Sequence, residues 1–254
     1  MMRLRFLGTG TSTGVPSIGC TCPVCTSTDT HDKRLRASAL LEVDGKNILI
    51  DCGPDFRTQI IRAGAPHLDC LLVTHSHYDH VGGIDDLRPY SYQNDGFDVY
   101  CRHDVADDLH NRLPYCFRKH PYPGVPTFNL HIIDDRPFKI GDLTVTPLPV
   151  MHYKLPIYGY RIGDFAYITD AKDIPDTTFS RLEGVDTLVI NALRHEEHLS
   201  HMNLQQALEA IQRISPRVAY LTHIADKLGT YREIEATLPQ GVHLAYDGLE
   251  ISIR

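Results

Sequence analysis

Apolar positions along the 254-residue chain come in short blocks separated by Gly, Asp and Pro. Residues 3–7, 39–43 and 47–51 read as strands. The last two are joined across Asp44-Gly45-Lys46, because Asp-Gly between apolar blocks favours a tight hairpin turn. Residues 54–63 read as a helix with Pro54 near its start. Leu71-Leu72-Val73 closes a buried strand. Residues 85–92 and 103–113 read as helices, with a strand at 99–101 between them. Strands follow at 130–133, 143–147, 158–162 and 165–170, with Gly-Asp turns at Gly141-Asp142 and Gly163-Asp164. A helix at 175–182, a strand at 186–191 and an amphipathic helix at 203–214 come next. In the last of these, Leu204, Ala207, Leu208, Ile211 and Ile214 fall at helical spacing. A strand at 218–222, a short helix at 231–238 and a final hairpin in 242–253 around Asp247-Gly248 complete the pattern. Strands and helices that alternate twice, with hairpins between, predict an α/β fold with mixed sheets.

Composition narrows this little. The apolar share of 42% and charged share of 22% are ordinary for a soluble globular protein. No linker, charge block or repeat divides the chain, so one domain over residues 1–254 is expected. The net charge of −7 argues against a nucleic-acid groove. No apolar stretch is long enough for a membrane span, and the start lacks a signal-peptide apolar region. Seven cysteines, three of them clustered, fit a reducing cytoplasm better than a disulfide framework. The oddity is 15 histidines, which points to metals or acid–base work.

Two stretches carry that chemistry. In Thr74-His75-Ser76-His77-Tyr78-Asp79-His80, four strong metal ligands follow the end of a buried strand. One histidine pair at i, i+2 and an adjacent Asp-His pair can face two different ions. Within the long loop at 11–36, Cys20-Thr21-Cys22-Pro23-Val24-Cys25 places three thiols where one tetrahedral zinc would order the loop. Redox thiols and unrelated free thiols are the competing readings. Cys52, Cys70, Cys101 and Cys116 read as buried small apolar side chains. His152, Asp170 and His223 also follow the ends of apolar runs, where open sheets present their sites. His201, just before the helix at 203–214, is the candidate general acid, with His195 and His198 as substitutes on its loop. Lys154 is either a point charge for a phosphate or a solvated lysine. The Pro-rich stretch at 114–126, with Arg118-Lys119-His120, is a connecting loop or a rim of the site.

The H-x-H-x-D-H run resembles the signature of the metallo-β-lactamase superfamily, hydrolases that use two metal ions. The resemblance implies a four-layer αβ/βα sandwich of two mixed β-sheets with the metals at one edge. By position it assigns His75, His77 and His152 to one ion, Asp79, His80 and His223 to the other, and Asp170 to both. Asp79 and His201 are the expected catalytic residues. Gly8-Thr9-Gly10, Gly14-Val15-Pro16, the cysteine run, and His152-x-Lys154 with Gly159-Tyr160 resemble the cyclic-phosphate phosphodiesterase family of the carbon–phosphorus lyase pathway. That family completes its zinc site with a histidine three residues after the last catalytic ligand. Here the position is Asp226, so Cys20, Cys22, Cys25 and Asp226 are the expected set for one structural zinc. The expected function is hydrolysis of a small, possibly cyclic, phosphate ester by two divalent cations, manganese, zinc or iron. The alternatives are a lactonase or thioesterase, an RNA 3′-processing endonuclease, and a non-hydrolytic accessory protein like that of pyrroloquinoline quinone biosynthesis. The expected partners are a small-molecule substrate and, for a homodimer, a second copy; neither membrane nor nucleic acid is expected.

Overall fold

The computed structural model describes residues 2–92, 95–118 and 122–254. Lys119 and His120 of the basic loop lie outside the described residues. The chain first lays down β1 (Met2–Gly8), β2 (Ser38–Val43), β3 (Lys46–Ile50), β4 (Cys70–Leu72), β5 (Phe97–Cys101) and β6 (Phe128–Ile132). A second set follows: β7 (Phe138–Ile140), β8 (Leu143–His152), β9 (Leu155–Ile162), β10 (Phe165–Ile168), β11 (Thr187–Asn191), β12 (Val218–Thr222) and β13 (Val242–Leu244). The last strand, β14 (Glu250–Ile253), returns to the first set. The two seven-stranded sheets have the orders β14-β1-β2-β3-β4-β5-β6 and β13-β12-β11-β10-β9-β8-β7.

Both sheets change character at one strand. β3 pairs antiparallel with β2 and parallel with β4. β10 pairs antiparallel with β9 and parallel with β11. Three parallel strands follow each switch, so their carboxyl ends gather on one edge, where α/β sheets present their sites. The inner faces pack together: Leu4, Phe6, Leu41, Ile48 and Leu72 meet Val145, Tyr160, Phe165, Tyr167 and Val189 in one buried cluster. Outside the first sheet, the Phe56–Arg62 and His103–Arg112 helices bury Phe56, Ile60, Val105 and Leu109. Outside the second, the Leu204–Ile214 helix buries Leu204, Ala207, Ala210 and Ile211. This is the four-layer sandwich the resemblance implies. No helix among the described residues is long and apolar enough to cross a membrane.

Three expectations change. The segment at 242–253 is not a hairpin: β13 joins β12 in parallel, and β14 joins β1 antiparallel in the other sheet. The Asp247-Gly248 turn is a crossover between sheets. Asp247 fixes it by accepting from the Thr9 amide at 2.9 Å, the Thr9 hydroxyl at 2.8 Å and the Leu35 amide at 2.7 Å. Second, β8 does not stop at Pro147 but runs on to His152. From Thr146 onward it pairs in the sheet with β9 alone, so Pro147 and Pro149 interrupt no second ladder. Third, β7 is a short edge strand that the apolar pattern did not reveal.

The Leu204–Ile214 helix starts in a capping box. Asn203 Oδ1 accepts from the Gln206 amide at 2.9 Å, and Gln206 Oε1 accepts from the Asn203 amide at 3.1 Å. Replacing Asn203 by Ala is expected to lower unfolding stability by about 1 kcal/mol. Urea denaturation with an unchanged m-value checks this; an unaltered midpoint would mean the box contributes nothing.

Candidate metal centre

Five strands deliver polar side chains to the site: β3, β4, β8, β10 and β12. β4 runs into the loop that carries His75 and His77, and the Tyr78–Val81 helix then presents Asp79 and His80. β8 ends on His152 itself. Asp51 after β3, Asp170 after β10 and His223 after β12 all have left-handed backbones, with φ of 59°, 57° and 56°. Asp and His tolerate this region better than most residues, at a cost of about 1–3 kcal/mol each. Such strain persists where surrounding bonds over-determine it. Asp51 accepts from the Thr74 amide and hydroxyl, both at 2.8 Å. The amide of Ala171, next to Asp170, donates to Asn191 Oδ1 at 2.8 Å, and Asn191 Nδ2 donates back to Ala171 O at 3.0 Å.

The side chains form two candidate ligand sets. His75, His77 and His152 can offer one atom each within 4.8 Å of one another, and so can Asp79, His80, Asp170 and His223. A third such group joins His152, Asp170 and His201. The sets abut: His75 Nε2 lies 3.9 Å from Asp170 Oδ2, while His80 Nε2 and His223 Nε2 lie 3.4 and 3.2 Å from Asp170 Oδ1. Asp170 therefore reaches both. The imidazoles are oriented from behind. His152 Nδ1 lies 2.8 Å from both the Asp170 and Ser200 carbonyl oxygens. His80 Nδ1 lies 2.7 Å from Asp51 Oδ2, and His75 Nδ1 lies 3.0 Å from Thr74 Oγ1. These contacts leave Nε2 of each ring for an ion, the arrangement that sets tautomer and basicity in metal sites.

Two observations test whether cations fit. His80 Nε2 and His223 Nε2 are buried with Asp79 and Asp170 oxygens 3.2–3.6 Å away but no well-aligned hydrogen bond to them, and His223 Nδ1 is buried with no partner among the described residues; a buried polar atom left unpaired is costly. The charge pattern agrees. Burial pushes the His75 and His77 imidazoles down, keeping them neutral, which is the ligating form. Burial also acts to lower His80, but the carboxylates of Asp170, Asp51 and Asp79 outweigh it and hold that ring charged. Three carboxylates around the His80 ring thus demand positive charge there. Divalent cations answer the same demand.

His201 stands beside this set. Its Nε2 lies 3.0 Å from Asp170 Oδ2, and its Nδ1 lies 3.0 Å from Ser200 Oγ and 3.1 Å from His198 Nδ1. Burial pushes it down to about 4, with Asp170 acting against that. His198 thus lies one step behind His201, and His195 is exposed on the same loop. Lys154 is exposed in the two-residue turn between β8 and β9.

The cysteine loop closes on the same edge. Cys20, Cys22, Cys25 and Asp226 form a fourth candidate ligand group. Cys20 Sγ and Cys22 Sγ lie 3.6 and 3.5 Å from Asp226 Oδ2. The Cys22 sulfur also accepts the Cys25 amide, which lowers the pKa of its thiol. Three thiols and one carboxylate are a zinc-type donor set.

Sequence reasoning missed Asp51 as a site residue. Its signal was present: Ile48-Leu49-Ile50-Asp51 repeats the apolar-run-then-Asp pattern of Phe165 to Asp170 at the equivalent switch strand.

Residues 46–224 match the family described as the beta-lactamase superfamily domain. An octanoyltransferase of Porphyromonas gingivalis (strain ATCC BAA-308 / W83) is 48% identical over 255 residues. The alignment covers 99% of this chain and 52% of that protein, so the chain spans about half the relative's length. Coenzyme PQQ synthesis protein B of Methylobacterium radiotolerans is 29% identical over 226 residues, covering 75% of this chain and 72% of the relative. Among solved structures, a diphosphatase from the PhnP family superposes with a TM-score of 0.94 at 36% identity, covering 100% of this chain and 98% of that one.

Two outcomes follow from the geometry. Asp51→Asn keeps the size of the side chain but weakens its grip on His80, and should lower affinity for the second ion by about 10–100-fold. Competition with a metal-sensing dye checks this; unchanged affinity would make Asp51 a turn residue only. Cys22→Ser should remove one equivalent of zinc and lower Tm, read by elemental analysis and thermal melts, whereas full zinc content would exclude the cysteine site.

Proposed function

The chain belongs to the metallo-β-lactamase superfamily of metal-dependent hydrolases, near its PhnP branch, and from that footing we propose that it is a two-metal phosphodiesterase acting on a small phosphate ester, cyclic or open. The observation that carries this reading is the pair of ligand sets sharing Asp170, with His201 Nε2 3.0 Å from the same carboxylate. His75, His77 and His152 would hold one divalent cation. Asp79, His80 and His223 would hold the other, and Asp170 both. Imidazole and carboxylate accept zinc, manganese or iron alike. Bound there, such a pair supplies an acidified water and a positive clamp for phosphoryl oxygens.

The chain's own residues do the rest. His201 gives a proton to the leaving ester oxygen, and Asp170 aims it. A phosphate anion beside His201 adds a negative neighbour and favours the charged imidazole. Lys154 meets a phosphoryl oxygen from the hairpin turn. Cys20, Cys22, Cys25 and Asp226 hold one structural zinc away from the chemistry. Free thiols throughout suit a reducing cytoplasm. With a net charge of −7, a long RNA backbone has little to bind.

One observation favours a second reading: the relative of which this chain spans half is an octanoyltransferase. The same clamp would serve an acyl ester or thioester.

Protein loaded with zinc or manganese should release p-nitrophenol from bis(p-nitrophenyl) phosphate. Asp170→Ala should abolish this, and His201→Ala should slow kcat by about 10²–10⁴-fold for a poorer leaving group. Turnover of an octanoyl thioester without turnover of the diester would replace the phosphodiesterase reading with the acyl one.

A further inference from the structure

Asn191 is the last residue of β11, is fully buried, and belongs to neither ligand set. Its side chain directs both of its functions to one residue. The amide oxygen accepts from the Ala171 N–H at 2.8 Å, and the amide nitrogen donates to the Ala171 carbonyl at 3.0 Å. A buried amide is tolerated only when bonded, and here side chain and peptide satisfy each other. The Ala171 carbonyl also accepts from the Met202 amide, at 2.8 Å, so both of its lone pairs are engaged. Ala171 follows Asp170, and Met202 follows His201. One residue's backbone thus anchors the shared carboxylate on one side and the proton donor on the other.

The His201 loop depends on such anchors. Residues 192–203 form neither helix nor strand. The Leu193 amide donates to the Met202 carbonyl at 3.0 Å and closes the loop at its base. Asn191 stands two residues before that closure, and its backbone pairs with Thr222, which precedes His223. The contact that the loop must preserve is His201 Nε2 to Asp170 Oδ2, at 3.0 Å. Asp170 has a left-handed backbone, with φ of 57°, directly before the gripped residue. A turn of the Ala171 peptide would therefore swing the carboxylate away from the imidazole. Proton donors need this alignment: a displacement of about 1 Å can lower a rate by about 100-fold.

We infer that Asn191 is a positioning residue: by gripping Ala171 it keeps Asp170 and His201 in register, and so sets the line along which His201 passes its proton to the leaving oxygen. The inference rests on the reading of His201 as proton donor in phosphate-ester hydrolysis. A leucine of similar size offers neither bond and frees the Ala171 peptide to turn. An aspartate, as a carboxylate, keeps an acceptor for the Ala171 amide but no longer donates to its carbonyl.

The test uses zinc-loaded protein and two diesters that differ only in leaving group, p-nitrophenyl methyl phosphate and phenyl methyl phosphate. p-Nitrophenoxide departs readily as its anion, whereas phenoxide is helped by a proton. Asn191→Leu and Asn191→Asp should each lower kcat for the phenyl ester by about 10–100-fold, and for the nitrophenyl ester by less than about 3-fold. KM and zinc content should stay unchanged. Hydrogen exchange gives a readout independent of turnover. The Ala171 and Met202 amides should exchange faster in both variants, while the Ala192 amide, bonded to the Thr222 carbonyl at 3.0 Å, stays protected. Equal losses on both esters, no loss on either, a missing equivalent of zinc, faster exchange at Ala192 as well, or failure of both variants to fold would each overturn the inference and leave Asn191 a residue of the fold alone. Native protein that cleaves neither ester would remove the phosphodiesterase reading by itself, and exchange at Ala171 and Met202 would still decide whether Asn191 holds the two segments together.

Discussion

A buried carboxylate is tolerated only where nearby charge or hydrogen bonds offset it. Here Asp51, Asp79 and Asp170 are buried together against His75, His80 and His223. Each partner serves another in turn. Asp51 directs its oxygens to Thr74 and His80 Nδ1, which fixes the ring whose other nitrogen faces Asp79 and Asp170 without a well-aligned hydrogen bond. That chain of contacts runs from the strand end through a second residue to an unfilled donor position. It gives the edge its chemistry, because the atoms left over are those a divalent cation coordinates.

The two sheets reach this edge by the same device. At β3 and again at β10 the pairing turns from antiparallel to parallel, and an aspartate in left-handed backbone follows each switch strand. The roles then diverge. Asp51 lies behind His80 and faces the protein, whereas Asp170 lies within reach of both ligand sets. Helices packed outside each sheet help to bury Ile48, Leu49 and Ile50 of β3 and the whole of β10, so the strained turns that follow cannot relax without disturbing the core.

Legibility in the sequence followed the range of the interactions. His75 to His80 stood out because four ligands are nearly contiguous on one loop. His152, Asp170 and His223 were readable as polar residues ending apolar runs, and the family resemblance sorted them into sets. Asp51 was not read, because an Asp-Cys-Gly closing a strand looks like turn chemistry; only the fold makes it the counterpart of Asp170. The crossover at Asp247 was misread for a related reason. Asp-Gly specifies a turn locally, but which sheet receives each flanking strand depends on Thr9 and Leu35, distant in sequence. The prolines of β8 misled because Pro is excluded from a strand only where both sides are laddered.

The cysteine loop explains why a long irregular segment belongs near the site. Arg34 is buried and donates to Thr9 Oγ1 at 2.8 Å and to the Ala245 carbonyl. The Ile224 amide donates to Thr9 O at 2.9 Å, and the Thr11 amide donates to Ile224 O at 3.0 Å. The Ala225 amide donates to Leu193 O at 3.0 Å, and Asp226 meets Cys20 and Cys22. His223 is thus followed by three residues that are each bonded to a distant part of the chain. Its left-handed backbone is held from both sides, by β12 before it and by these contacts after it. The amino-terminal loop therefore sets the position of the last candidate ligand, although it supplies none of the seven candidates itself.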